Sequence, residues 1–130
     1  MNKLLSPLVL IIMSALLDSI AAFIVKNEFN KLGAMDHSSI GTMVSYLISF
    51  FKSPILILGI IAFVSAPGLW FLALNKIDLS IGYPVLVGFH LIFVFIFGTF
   101  LLNEGITFNK LVGCFFVFLS IYFFYKKWVT

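Results

Sequence analysis

A chain of 130 residues that is 62% hydrophobic and only 10% charged carries more apolar surface than a soluble domain of that length can bury. Its net charge of +3 comes from lysines alone, placed at the ends of apolar runs. That placement reads as interfacial anchoring and excludes a nucleic-acid-binding patch.

These values predict an all-α integral membrane protein, a single domain over 1–130 with four transmembrane helices. The apolar runs are continuous, which favours helices over alternating membrane strands. In lipid a helix also satisfies its own backbone. The first span is expected over 4–26. It carries Pro7 in its first turn, where a missing N–H costs little, and ends at Lys26. It is too long for a cleaved signal peptide, and no small-residue cleavage site follows it. Ser14, Ala15, Asp18, Ser19 and Ala22 recur at spacings of three and four, giving one face for close helix contact or for a cavity.

The connection 27–53 begins with a polar stretch, 27–33. Asp36, His37, Ser38 and Ser39 then offer an N-cap to a run in which Ile40, Met43, Val44, Leu47, Phe50 and Phe51 recur at helical spacing. This predicts an amphipathic helix over 38–52 lying in the membrane interface. The alternative is an extension of the second span, broken at Ser53 and Pro54. The second span, 54–75, contains Ser65, Ala66, Pro67 and Gly68, which predicts a kink. The third, 79–102, opens with Gly82, Pro84, Gly88 and His90, a breakable, polar-lined half-helix. In the fourth, 108–127, Gly113 and Ser120 stand seven residues apart on one face, for packing across a dimer or within the chain. Cys114 in the same span can form no internal disulfide and reads as lipid-facing or as packing filler. Tyr125, Lys126, Lys127 and Trp128 anchor its end.

Four spans put both termini on one side, with Lys3, Lys76, Lys126 and Lys127, and leave Lys26, Lys31, Lys52 and Lys110 on the other. That even count sets no orientation by the positive-inside rule. It suits a small protein outside that rule, a dual-topology antiparallel dimer, or a chain whose orientation a partner fixes.

Asp18 is the leading functional candidate, since a carboxyl at membrane depth marks a site by default. It would exchange a proton or pair with a cationic substrate; the alternative is a protonated carboxyl hydrogen-bonding a neighbouring helix. Tyr83 would add a hydroxyl to the same cavity. His90 would relay protons or hydrogen-bond, or simply pack. Lys26 would meet a phosphate, or snorkel. Glu104 would contact substrate, cap its helix or pair with Lys110. No metal-ligand cluster, nucleophile constellation or phosphate loop is present, so neither an enzyme nor a cofactor is expected.

Asp18 with Lys26 eight positions later resembles the small multidrug resistance branch of the drug/metabolite transporter superfamily. Trp70, Ala73, Leu74, Leu79, Ser80, Tyr83 and Pro84 resemble that superfamily's signature across the second and third spans. Phe100, Leu101 and Glu104 followed by Gly113 resemble its ending. Drug exporters of that branch carry Glu in the first span and a tryptophan three residues after the third-span tyrosine; here those positions are Asp18 and Leu86. The long first connection and Tyr83-Pro84 are more similar to ArnE/ArnF-type subunits of the undecaprenyl-phosphate–aminoarabinose flippase, which serve lipopolysaccharide modification.

The resemblance implies a transporter that flips a polyprenyl-phosphate-linked amino sugar across the bacterial inner membrane. It would work as a homodimer or as a heterodimer with a paralogous small subunit. Asp18, Lys26, Trp70, Tyr83, Pro84, His90 and Glu104 would serve the substrate, and Gly113 and Ser120 the dimer interface. The alternatives are a proton-coupled exporter of small cations and a non-transporting subunit that scaffolds a glycosyltransferase.

Overall fold

The structure, a computed structural model, describes residues 6–129, and side chains only as far as Lys126. Lys3 and the side chains of Lys127 and Trp128, read above as anchors, lie outside the described residues.

The described residues form five helices: α1 (Pro7–Leu32), α2 (Ile40–Phe51), α3 (Pro54–Leu74), α4 (Leu79–Phe100) and α5 (Phe108–Val129). Ser6 caps α1 by accepting the Val9 N–H at 3.4 Å, with Pro7 in the first turn. α1 then runs past Lys26 to Leu32, six residues beyond the expected end. Two contacts hold the polar extension helical. Glu28 is buried and pairs with Lys31 at 2.6 Å, an i,i+3 arrangement that supports a helix. Phe29 stacks on Phe50 of α2 at 4.7 Å. α1 stops at Gly33, whose φ of 78° and ψ of −169° suit glycine and almost nothing else.

The expected helix between the first two spans is present as α2. Ser39 and Thr42 form a reciprocal capping box at its start, satisfying two otherwise orphaned donors. Pro67 lies within α3 and Pro84 within α4, and neither helix is broken. Each proline lacks an N–H, so the carbonyls of Phe63 and Ser80 lose their helical donors. The third span is one continuous helix, and the stretch read above as breakable, with Gly82, Pro84, Gly88 and His90, forms its first half.

α1 is the centre of the fold, packed against both α3 and α4. The register shows the directions. Ser14 meets Ala66 and Ile24 meets Gly59, so α1 and α3 are antiparallel. Ser19 meets His90 and Phe23 meets Phe97, so α1 and α4 are parallel. Small residues carry the closest approach: Ala15, Gly59, Ala62 and Ala66 are all buried. Lipid tails are as apolar as leucine, so such contacts hold through van der Waals fit and interhelical hydrogen bonds, not through apolar burial. The Ser14 hydroxyl supplies one such bond, donating to the Ala66 carbonyl at 2.7 Å.

The apolar core gathers Leu10, Ile11, Ala73, Ile77 and Val85 where α1 starts, α3 ends and α4 begins. α5 packs on α4 and buries none of its apolar length, Phe108–Lys126. Four helices, α1, α3, α4 and α5, are long and apolar enough to cross a membrane, which fits a multi-pass membrane protein.

Candidate functional site

Asp18 stands near the middle of α1, on the side away from the apolar core. Its Oδ2 lies 3.1 Å from His90 Nδ1 of α4. Neither group is sealed: 42% of the Asp18 side chain and 28% of His90 are exposed. Their open sides face a cavity of ≈ 480 Å³. Ala21, Ala22 and Val25 of α1 line it from Asp18 towards α2, with Leu56, Gly59, Ile60 and Phe63 of α3 opposite. Phe50 and Phe51 of α2 complete it at that end. Among the described residues, Asp18 and His90 are the only titratable groups in this lining.

The cavity exists because α1 and α3 touch through small residues on one side of their contact. Gly59 lets Ile24 close down, since a Cβ there would lie 3.0 Å from Ile24 Cγ2. α2 is drawn over the end by three contacts: Phe50 on Phe29, Tyr46 near Phe29, and the Tyr46 hydroxyl donating to the Gly33 carbonyl at 2.8 Å. Such an arrangement can hold an apolar body along its walls and a cationic or proton-donating group at Asp18.

The other residues expected at the site are dispersed. Lys26 and Glu104 line a separate cleft of ≈ 70 Å³ between α1 and α4, together with Phe23 and Gly98. Ala22 lines both cleft and cavity. Glu104 folds over Gly98, and Lys110 Nζ is 4.0 Å from its carboxylate.

Tyr83 and Pro84 line a groove between α4 and α5 with Val117 and Ser120. The expectation that Tyr83 shares the Asp18 cavity does not hold within one chain. Tyr83 is two helical turns before His90, about 10 Å along α4, whereas the cavity extends from Asp18 in the opposite direction. Trp70 packs on Gly82 and beside the Tyr83 ring, centroids 6.2 Å apart, at the core end of the molecule. Leu86 packs there too.

Gly113 lines a further groove with Glu104 and Lys110, and a Cβ added to it would meet nothing within 4 Å. A side chain at Gly113 would therefore meet none of its neighbours among the described residues.

Two residues matter that the sequence did not single out as site residues. Ser19, fully buried, contacts His90. Glu28 fastens the end of α1, with the Ser53 side chain directed at the same carboxylate. Ser19 was legible only as a small residue on the Asp18 face. Glu28 gave no signal, because its polar neighbours read as loop.

No protein-family profile, curated protein or solved structure matches this chain.

Proposed function

We propose that this chain is a transport subunit of the bacterial inner membrane that flips a polyprenyl-phosphate-linked amino sugar between leaflets. The observation that carries the reading is the half-exposed Asp18–His90 pair at mid-span in a cavity with otherwise apolar walls. A charged group at that depth is costly, about 2.5–3.5 kcal/mol by insertion scales, and is retained where it meets a cation or a proton. The substrate amine would sit on Asp18 while its tail stays in lipid. Lys26, one cleft away across Ala22, would face the phosphate.

α2 fits the same reading. Ile40, Val44, Leu47, Ile48 and Phe51 are all exposed, while Phe50 turns inward on Phe29. A helix with such a face lies in the membrane interface, where it would admit a lipid substrate to the cavity it borders. The exposed α5 and the open space beside Gly113 leave a face for a second subunit, identical or paralogous.

A second reading has its own observation. Apart from Asp18 and His90 the cavity offers a sugar no polar side chain, which favours a compact apolar cation exchanged for a proton.

Reconstitution of the purified protein in liposomes separates the two. Translocation of a polyprenyl-phosphate amino sugar, lost in Asp18→Asn, is the expected result. Proton release on adding cationic compounds, with no lipid translocation, selects the second reading. Translocation by Asp18→Asn at the wild-type rate refutes a charge role for Asp18 in either.

A further inference from the structure

His90 Nδ1 lies 3.1 Å from Asp18 Oδ2 and 3.2 Å from Ser19 Oγ. The Ser19 hydroxyl makes its shortest contact, 2.6 Å, to the Ala15 carbonyl one turn back in α1, against 3.4 Å to the His90 carbonyl. A hydroxyl has one proton to donate. With that proton on Ala15, Ser19 Oγ can only accept from the imidazole. The network therefore assigns the ring proton to Nδ1, and two acceptors share it at almost equal distance. One of them, Asp18, opens to the cavity; the other, Ser19, is fully buried.

We propose that His90 is the resident counter-group of Asp18 and works as a two-position latch. Its Nδ1–H holds the Asp18 carboxylate until a cationic group binds there, and then passes to Ser19 Oγ. The imidazole need not leave its place, because the second acceptor is already in reach. This rests on the transport reading above.

Among the described residues no other titratable group lines the cavity, while Ser19 borders the cleft that holds Lys26 and Glu104. α3 presents Leu56, Gly59, Ile60 and Phe63 to it and α2 presents Phe50 and Phe51, while Lys26 and Glu104 line the separate cleft. A ligand must then bind the carboxylate more strongly than an imidazole N–H does. That selects cations over neutral hydroxyl donors, since a cation adds charge–charge attraction to the carboxylate where a neutral hydroxyl, like the imidazole N–H, offers a hydrogen bond alone.

The latch makes a sign prediction that packing alone does not. In lipid nanodiscs, with octylamine as the probe, His90→Ala removes the competitor and should bind roughly tenfold tighter than wild type. Ser19→Ala strands the Nδ1–H once the amine is bound and should bind roughly tenfold weaker. In the His90→Ala background, Ser19→Ala should change nothing. Asp18→Asn should bind no octylamine. ¹⁵N NMR of the His90 ring, in a His37→Gln background that leaves one histidine, needs no substitution at 90. Octylamine should shift the Nδ1 signal while the nitrogen stays protonated.

Asp18-dependent binding with His90→Ala unchanged or weaker, or with an unmoved His90 signal, overturns the latch and leaves the transport reading standing. A Ser19→Ala effect that persists without His90 does the same. No Asp18-dependent octylamine binding in any variant overturns the latch and that reading together.

Discussion

Of the described glycines, Gly88 has the closest neighbour, where α5 leans on α4. A Cβ placed on Gly88 would lie 2.6 Å from Ile121 Cγ1 and 2.8 Å from Cδ1. Ordinary contact begins near 3.4 Å, so Gly88→Ala is about 0.8 Å too close at the nearer atom (3.4 less 2.6). Two effects oppose each other. Alanine in a helix interior gains about 0.8–1 kcal/mol over glycine. Overpacking a closed contact costs about 1–3 kcal/mol. Rotating the Ile121 tip relieves Cδ1 but leaves Cγ1 in place, so the clash should outweigh the gain, by up to about 2 kcal/mol. α5 has α4 as its packing partner, and the loss should therefore appear as α5 separating. Reversible unfolding in bicelles measures the stability, and a spin-label pair on α4 and α5 measures the separation. Gly68→Ala serves as the control, because a Cβ there meets nothing within 4 Å. Adding Ile121→Ala to Gly88→Ala should remove the clash and show as favourable coupling in a double-mutant cycle. A Gly88→Ala protein as stable as the Gly68→Ala control, with no coupling to position 121, would refute the α4–α5 packing described here.

Ser14→Ala should cost about 0.6 kcal/mol, and not more than about 1.7, the range for interhelical hydrogen bonds in membranes; the same unfolding assay reads it. Gly33→Ala should cost about 1–3 kcal/mol, because its φ of 78° and ψ of −169° admit few side chains. That loss should appear as faster amide exchange across the end of α1 and the start of α2. Asp36 accepts both the backbone N–H and the hydroxyl of Ser38, at 2.9 and 2.8 Å, and these bonds hold its carboxyl below the usual carboxylate range. Its folded value is lower than its unfolded one. The contribution is thus complete above the usual range and lost as the pH falls through the lowered value. Protection of the Ser38 amide, its exchange relative to the intrinsic rate at each pH, should fall on acidification, and an Asp36→Asn protein should lack that pH dependence.

The spans were legible because lipid solubility is written in composition. The bounds of the second, third and fourth spans shifted by no more than two residues, whereas α1 starts at Pro7 and runs to Leu32. The end of α1 was not legible. Beside the local Glu28–Lys31 pair, its stability comes from Phe29 on Phe50 and Tyr46 of α2 and from Ser53 directed at Glu28, which only tertiary contact reveals. Asp18 announced itself as a charge in an apolar run. Its partnership with His90 did not, because the contact closes across 72 positions of chain (90 less 18). Tyr83 misled for a geometric reason. Its spacing of seven from His90 places it near the same helix face, but a face runs the length of a helix and a cavity does not.

The central place of α1 has a consequence for biogenesis. On the membrane reading, Asp18 enters the bilayer long before His90 is synthesised, 72 positions later (90 less 18). At 5–20 residues per second that gap is roughly 4–14 s. During it the carboxyl has no counter-group, a cost of about 2.5–3.5 kcal/mol. Between Pro7 and Lys26, eleven Leu, Ile, Val and Phe residues contribute about 3–7 kcal/mol in the other direction. α1 thus carries enough hydrocarbon affinity to insert alone and wait, and each further acidic residue in its first half would erode that margin before any folding begins.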